Sequence, residues 1–159
     1  MQPNEDAARV RIFPPAIPLV TILLGIVLQW VWPIDLGFAV PRPARYWLGG
    51  AIVAGAFLGL GLWAVVLFRR GGQSESPWKP TPHIEERGPF RFTRNPMYLG
   101  MILVCLGFAV LLANGWVLAL TPVGAWLLQR LAILPEETYL ERKFGETYLA
   151  YKKRVRRWL

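Results

Sequence analysis

Three long stretches of the chain contain no charged residue, and they alternate with shorter segments rich in arginine, lysine and proline. The stretches cover 12–34, 46–68 and 95–129, and each of the first two is 23 residues long. A helix of that length can cross the roughly 30 Å hydrocarbon core of a membrane. The third stretch contains Asn114-Gly115, a strong turn signal, near its middle. The pattern predicts an all-α integral membrane bundle with four transmembrane helices, at 14–32, 46–68, 96–113 and 116–134.

The second predicted helix carries small residues at a regular spacing. Ala51, Gly55 and Gly59 recur at every fourth position and therefore share one helical face. Small residues at this spacing let the backbone of a second helix approach closely in lipid. We therefore expect this face to pack inside the bundle.

Basic residues are distributed unevenly around the predicted helices. Of the 18 Lys and Arg residues, two precede the first helix, six lie in the loop 69–95 and eight lie from Arg130 onward. Only Arg42 and Arg45 fall on the opposite side. Positively charged loops tend to stay in the cytoplasm, so we predict a cytoplasmic-membrane protein with both termini in the cytoplasm. The net charge of +8 then reflects topology and attraction to anionic membrane lipids, and we predict no nucleic-acid partner.

The loop 69–95 is rich in proline and aromatic residues, which favours an ordered, extended path over a flexible linker. It ends at Asn95-Pro96, a favoured pair for the N-cap and first position of a helix. Unpaired backbone N–H groups at a helix start attract anions, and Arg91 and Arg94 lie close by in sequence. The segment is either a basic anchor beside a membrane helix or a binding site at the boundary between water and lipid.

The C-terminal segment predicts an amphipathic helix at 136–157, opened by Pro135. Its apolar residues fall three or four apart on one face: Leu140, Phe144, Tyr148, Tyr151, Val155 and Trp158. Such a helix typically lies in the membrane interface. Glu136 and Glu137 lie in its first turn, where the helix dipole favours carboxylates. They also lie where the fourth helix emerges, so they are either ordinary helix-start acids or part of a functional site.

Residue types that often mark reactive or metal sites are scarce. The single cysteine, Cys105, excludes an internal disulfide, and its place inside a predicted helix favours a packing role. His83 is the one histidine of the chain. We predict no metal site.

Two motifs flank the last pair of predicted helices. The first is GPF at 88–90 followed by RNPMYLG at 94–100, and the second is EETYL at 136–140 followed by FGETYLAY at 144–151. In order and spacing they resemble the isoprenylcysteine carboxyl methyltransferases and the related phospholipid N-methyltransferases, which are integral membrane enzymes. The pattern of that family is Gly-Pro-aromatic, Arg-His-Pro-x-Tyr-x-Gly, Glu-Glu-x-x-Leu and Phe-Gly-x-x-Tyr-x-x-Tyr. The resemblance covers about 82–155.

This resemblance implies S-adenosylmethionine as the cofactor, bound in a pocket at the cytosolic surface. By position, the implied cofactor-binding residues are Pro82, His83, Ile84, Glu85, Gly88, Phe90, Asn95, Pro96, Met97, Tyr98, Gly100, Glu136 and Glu137. Arg94 and Glu136 are the implied catalytic residues. A helix start beside an arginine suits the carboxylate of the cofactor, and a glutamate with aromatic faces suits its ammonium and sulfonium groups.

Two positions depart from the family pattern. Asn95 replaces the family histidine, and its amide cannot exchange a proton near neutral pH. This change favours an acceptor that arrives ionised, or a base located elsewhere. The eukaryotic prenylcysteine enzymes hold their substrate with an arginine at the position of Ala132. Arg130 lies two residues earlier, roughly 200° away around a helix, and is a poor substitute.

We therefore expect one methyltransferase domain over 1–159, which aligns a lipophilic acceptor with the cofactor away from water. The acceptor is a carboxylate, as in the isoprenylcysteine carboxyl O-methyltransferases, an amine of a phospholipid or other small molecule, or a thiol. Alternatives from other classes are a small transporter, a non-catalytic membrane scaffold, and a family member that has lost activity. Cofactor binding separates the enzyme from these alternatives.

Overall fold

The computed structural model describes residues 6–34 and 42–159 of the chain. In these ranges the regular structure is entirely helical, which confirms the all-α prediction. The α-helices are α1 Ala16–Val31, α2 Arg42–Gly55, α3 Trp63–Arg70, α4 Pro96–Leu112, α5 Gly115–Leu128, α6 Leu134–Phe144 and α7 Glu146–Arg154. Two π-helical segments, Ala56–Leu62 and Gln129–Ile133, join α2 to α3 and α5 to α6.

Two of the resulting continuous helices are long and apolar enough to cross a membrane. Arg42–Arg70 has 29 residues and Gly115–Phe144 has 30. The other two predicted spans are the shorter apolar helices α1 and α4, with 16 and 17 residues. These fall below the roughly 20 residues that a span usually needs. Length and composition thus support two of the four predicted spans.

The fourth predicted helix does not end at 134. It continues through Pro135 to Phe144, whereas the sequence indicated a new helix at this proline. A proline has no backbone N–H and disturbs the hydrogen bond one turn back. The π-helical segment Gln129–Ile133 lies immediately before it and changes the hydrogen-bond register there, an adjustment that lets a helix tolerate proline.

The second helix packs through a different face from the predicted one. Gly55 and Gly59 have no neighbour within 4 Å of an added Cβ, and they are exposed. The close approach is made instead by Gly49, where an added Cβ would lie 2.7 Å from the Leu111 Cβ atom of α4. Gly107 of α4 faces back, with an added Cβ 2.6 Å from Val53 Cγ2. The prediction that the face with Ala51, Gly55 and Gly59 packs inside the bundle was therefore wrong.

The turn predicted at Asn114-Gly115 is confirmed, and it connects α4 to α5. Ala113 adopts a left-handed φ of 48° there. The Asn114 side chain accepts a hydrogen bond from Val117 N at 2.9 Å and donates one to Gly25 O at 3.1 Å. One asparagine thus caps α5 and fastens it to α1.

The C-terminal segment forms two helices instead of one interfacial helix. Gly145 has a φ of +51° and breaks the run between α6 and α7. In α7, which starts after this break, Tyr148 and Tyr151 are buried, with 2% and 3% exposure. Tyr151 donates its hydroxyl proton to Phe90 O at 2.8 Å. The sequence predicted that this apolar face lies in the membrane interface. Its Tyr151 packs instead against the loop before α4.

The N-terminal segment and the long loop are tied together at the same end of the bundle. Ala8 N donates to Pro77 O at 3.2 Å, and the indole N–H of Trp78 donates to Val10 O at 2.8 Å. The Tyr139 hydroxyl of α6 donates to Asp6 O at 3.1 Å. The N-terminal segment, the loop and α6 thus surround a space at this end of the bundle.

Candidate functional site

A pocket lies where the loop, the N-terminal segment, α4, α6 and α7 meet. It contains about 800 Å³ of space, part of which is open to solvent. Both sequence motifs contribute to it, although they are separated by a helical hairpin. The predicted site residues that line it are His83, Ile84, Glu85, Phe90, Arg94, Asn95, Pro96, Met97, Tyr98, Glu136 and Glu137.

Three predicted residues do not line this pocket. Gly88 has a φ of +56°, and an added Cβ would lie 2.7 Å from Leu67 Cδ1. Gly100 faces the π-helical segment Ala56–Leu62, where an added Cβ would lie 3.1 Å from Ala56 O. Both glycines are therefore explained by backbone conformation and packing. Pro82 precedes the lining residue His83 but is not itself among the lining residues.

Glu137 lies in a buried network of charges. Its carboxylate accepts a hydrogen bond from Arg94 Nη2 at 2.8 Å and two from Arg157, at 3.0 Å from Nε and 2.7 Å from Nη2. The side chains of Glu137 and Arg94 are only 5% and 8% exposed. Arg94 also donates from Nη1 to Val155 O at 2.9 Å. This network fastens the C-terminal tail to the start of α4.

Glu136, by contrast, has no cationic partner in the described part of the chain. It accepts one hydrogen bond, from the Tyr98 hydroxyl at 2.5 Å. Adjacent residues on a helix point about 100° apart, so Glu136 faces the pocket while Glu137 faces the two arginines. The acidic pair therefore has two different environments: two arginines pair with Glu137, and only Tyr98 among the described residues binds Glu136.

Asn95 occupies the N-cap position of α4, but its side chain does not cap the helix. Its amide Nδ2 instead donates to Arg157 O at 3.1 Å. Thr93 Oγ1 donates to the same carbonyl at 3.0 Å. The capping role expected for Asn95 is corrected here, since the amide connects the pocket wall to the C-terminal tail.

Glu85 lines the pocket with a carboxylate that is already paired. It accepts hydrogen bonds from Arg87 Nε and Nη2, both at 2.8 Å, and from two backbone N–H groups. The hydrogen bonds from the Arg87 side chain hold the pKa of Glu85 below its ordinary value. His83 Nε2 lies 3.9 Å from Glu85 Oε2. These contacts shape the loop around the pocket.

An aromatic corner lies at the side of the pocket nearest α3. Phe68 and Phe90 stack with ring centroids 5.0 Å apart and planes 15° from parallel. Phe90 is buried, with 5% exposure. The pair provides an apolar wall of the kind that holds a flat ring.

Several lining residues were not predicted from the sequence as site residues. They are Ala8, Phe68, Gln73, Ser74, Glu75, Ser76, Pro77, Thr81, Tyr139, Leu140, Tyr148 and Tyr151. The tyrosines belong to the second motif, but the helical spacing of Tyr148 and Tyr151 indicated an apolar face. No local signal marked the segment 73–77, because only the path of the loop brings it to the pocket.

The fold is a membrane-type helical bundle with a pocket at one end. The sequence profile of the phospholipid methyltransferase family matches residues 44–147, more than half of the chain. The chain therefore belongs to the phospholipid methyltransferase family. Membership in this family implies a methyl donor, and together with the two apolar helices it indicates membrane association.

Curated proteins of related sequence agree with this assignment. A protein-S-isoprenylcysteine O-methyltransferase of Rattus norvegicus is 34% identical over 116 residues, which cover 69% of this chain and 40% of that protein. One of Schizosaccharomyces pombe is 34% identical over 68 residues, covering 43% of this chain and 29% of that protein. An uncharacterized protein of Haemophilus influenzae is 40% identical over 63 residues, which cover 40% of this chain and all of that protein.

The chain thus spans less than half the length of the two named methyltransferases that it matches. The resemblance to methyltransferases of isoprenylcysteine and phospholipid is confirmed. No solved structure matches the chain.

Proposed function

We propose that this protein transfers a methyl group from S-adenosylmethionine to a lipid-like acceptor in the membrane. The observation that carries this proposal is the convergence of the 88–100 and 136–151 motifs on one pocket. Within that pocket, Glu136 is a carboxylate without a cationic partner in the described residues. S-adenosylmethionine supplies an electrophilic methyl group on a sulfonium.

The pocket offers a complementary group for each part of such a cofactor. Glu136 and Tyr98 would bind the positively charged end, since a carboxylate and an aromatic face both attract cations. The start of α4 favours a carboxylate. Arg94 Nε is buried without a hydrogen-bond partner among the described residues, so this guanidinium retains an unused donor. The stacked Phe68 and Phe90 would hold the adenine.

The acceptor is proposed to be a lipid-like carboxylate, as the named relatives suggest. Such a group arrives ionised and needs no proton removed before attack, which is consistent with Asn95 in place of histidine. Ala132, at the position of the substrate arginine in the eukaryotic enzymes, is fully buried. Arg130 is exposed, with its guanidinium 5.9 Å from the Trp126 ring centroid. We therefore do not extend the proposal to prenylcysteine itself.

The alternative acceptor is an amine, of a phospholipid or another small molecule. The description of the matched family favours it. A protonated amine must first lose a proton, and Glu136 would be the acid-base group placed to receive it.

The test uses the full chain purified in detergent or reconstituted in vesicles. Binding of S-adenosylmethionine and S-adenosylhomocysteine is measured by calorimetry, and methyl transfer is followed with a labelled methyl group. Three acceptors are compared: a long-chain carboxylate, phosphatidylethanolamine and a long-chain thiol. We expect binding of both cofactor forms and methylation of the carboxylate. A folded sample that binds neither form would instead support a scaffold, a transporter or an inactive relative.

We also propose four crossings with both termini and the pocket on the cytoplasmic side. The motive is the distribution of Lys and Arg, 16 of 18 of which lie on one predicted side. The test introduces Lys79→Cys, at an exposed loop position, into a Cys105→Ala background. Reaction with an impermeant thiol reagent in intact cells would contradict this orientation, whereas reaction after lysis alone supports it.

A further inference from the structure

A second recess shares one lining residue, Tyr139, with the pocket described above. It contains about 650 Å³ of space, part of which is open to solvent, and its other lining residues in the described ranges are Asp6, Arg9, Arg142 and Lys143. Three cationic side chains therefore face one carboxylate, which gives the described lining a net charge of +2. We refer to this space as the basic recess.

The carboxylate of the basic recess is already engaged. Lys143 Nζ donates to both carboxylate oxygens of Asp6, at 2.8 and 2.7 Å, and to the Tyr139 hydroxyl at 3.2 Å. Arg9 is exposed and has no ion pair within the described ranges. Cations that outnumber the nearby carboxylates repel one another, and an anion between them relieves this repulsion. A phosphate suits the recess best, because guanidinium groups bind phosphate oxygens in pairs.

An apolar groove between α1 and α5 provides a surface of the opposite kind. It contains about 670 Å³ of space, again partly open, and its lining residues come from the ranges 12–24 and 120–131. Its side chains are all apolar except that of Thr21, which is buried. A Cβ added at Gly124 would lie 2.9 Å from Thr21 Oγ1, so the two helices touch at the floor of the groove.

The basic recess and the groove follow one another along the same two segments of the chain. In the N-terminal segment, Arg9 lines the recess and Ile12 lines the groove, at most about 11 Å further on. In the long helix Gly115–Phe144, Leu131 lines the groove and Tyr139 lines the recess, about 12 Å apart along the axis. The groove itself extends about 16 Å along this helix, about half of the hydrocarbon core of a membrane. A cationic recess at the end of a groove as long as one leaflet fits an amphiphile.

We propose that the basic recess and the groove together bind one anionic phospholipid. Its phosphate would lie at Arg9, Arg142 and Lys143, and an acyl chain would lie between α1 and α5. An anionic headgroup is favoured over a zwitterionic one, because the same cations repel the ammonium of the latter. A second copy of the chain is a poorer occupant, since its net charge of +8 adds repulsion.

This lipid is a bound partner and not the methyl acceptor, so the proposal does not depend on the proposed function. It would connect the N-terminal segment to α6. Ala8 and Tyr139 of these two elements also line the pocket. Binding of the lipid should therefore stabilise one wall of the pocket as well as the protein as a whole.

The first experiment measures lipid selectivity with the full chain in a neutral detergent. Low fractions of phosphatidylglycerol or phosphatidylcholine with the same acyl chains are added, and native mass spectrometry and melting curves follow binding. We expect phosphatidylglycerol to bind at least about fivefold more tightly and to raise the melting temperature by several degrees. Equal binding of the two lipids would overturn the proposal. The same shift with soluble glycerol phosphate would show a site for a free anion instead.

The second experiment separates a site from general attraction between basic residues and anionic lipid. Arg9→Gln and Arg11→Gln remove the same charge from the same segment, and both arginines are exposed, but only Arg9 lines the recess. We expect Arg9→Gln to weaken binding of phosphatidylglycerol at least about fivefold and of phosphatidylcholine no more than about twofold. Arg11→Gln should leave both affinities within about twofold. Equal losses for the two variants would mean that the charges act without a site.

The third experiment tests the place of the acyl chain. Val20 and Leu23 are 59% and 52% exposed on α1, and only Val20 lines the groove. Val20→Phe fills part of the groove and should weaken binding of both lipids at least about threefold, whereas Leu23→Phe should not. Equal affinities for the two variants would overturn the role of the groove. If Val20→Phe instead converts a dimer in detergent into a monomer, the groove is an interface between two copies and the proposal is wrong.

Discussion

The two ends of the helix bundle each place an asparagine at the start of a helix, and they use it differently. Away from the pocket, Asn114 caps α5 and binds the backbone of α1. At the pocket, Asn95 leaves α4 uncapped and binds the carbonyl of Arg157. The first asparagine connects two helices of the bundle, and the second holds the C-terminal tail beside the pocket. The same residue at the same helical position thus serves stability at one end and site geometry at the other.

The difference extends to the acidic pair at the pocket end. Glu137 holds the tail through Arg94 and Arg157, whereas Glu136 meets only Tyr98. One glutamate is part of the scaffold, and the other lines the pocket without a cationic partner among the described residues. Substitutions that separate stability from binding can test this division.

The largest effect is expected for Glu137→Gln. The change leaves the buried guanidinium of Arg94 without its carboxylate, so the free energy of unfolding should fall by about 3–5 kcal/mol. Thermal and denaturant unfolding in detergent measure this loss. Glu141→Gln is the control, because its carboxylate pairs with Lys152 in a more exposed position and should contribute less than about 1 kcal/mol. Equal stability of the two variants would remove the scaffold role of Glu137.

Glu136→Gln should change binding instead of stability. A hydrogen bond to a charged group contributes about 1.5–3 kcal/mol, so the affinity for S-adenosylmethionine should fall by roughly ten- to a hundredfold. The Tyr98 hydroxyl can still donate to the new amide oxygen, and the melting temperature should stay close to that of the original protein. Calorimetry tests the expected loss of affinity, and melting curves on the same sample test the unchanged stability. Unchanged affinity in a folded variant would show that Glu136 is only a helix-start acid.

At the opposite end, Gly25→Ala should damage the bundle and spare the pocket. The added Cβ would lie 2.5 Å from Val117 Cγ2 and 2.8 Å from Val117 N. Overpacking of this kind costs about 1–3 kcal/mol. Gly55→Ala is the matched control, since its Cβ would meet no atom within 4 Å and alanine favours a helix. Weaker cofactor binding by folded Gly25→Ala protein would contradict the separation of the two ends.

The smallest effects come from the two asparagines. Asn114→Ala should lower the free energy of unfolding by about 1–2 kcal/mol, because it loses both the cap and the hydrogen bond to Gly25 O, with no change in ligand binding. Asn95→Ala loses no cap, and Arg157 O keeps its hydrogen bond from Thr93. We therefore expect a smaller loss of stability and a severalfold loss of cofactor affinity. A larger loss of stability for Asn95→Ala and a larger loss of affinity for Asn114→Ala would contradict the different roles of the two asparagines.

Much of the helical framework was predictable because its signals are local. Uncharged runs of more than 20 residues indicate helices in lipid, and Asn114-Gly115 specifies a turn through its own side chain. The packing face of the second helix was not predictable in this way. Its residues are apolar all round, so the sequence offers two stripes of small residues, and only the fit of Gly49 against α4 selects between them.

The sequence by itself determined the helical class, the main turn and the two motifs that mark the family. The tertiary structure decided which glutamate of the second motif pairs with arginines and which does not. Arg94 and Glu137 are 43 residues apart, and Arg157 and Glu137 are 20 apart. The arginines reach Glu137 because of the break at Gly145 and the path of the C-terminal tail. Neither feature produces a periodic pattern in the sequence. Local sequence fixes helices because their hydrogen bonds are local, whereas the partners of buried charges and amides are set by contacts between distant segments.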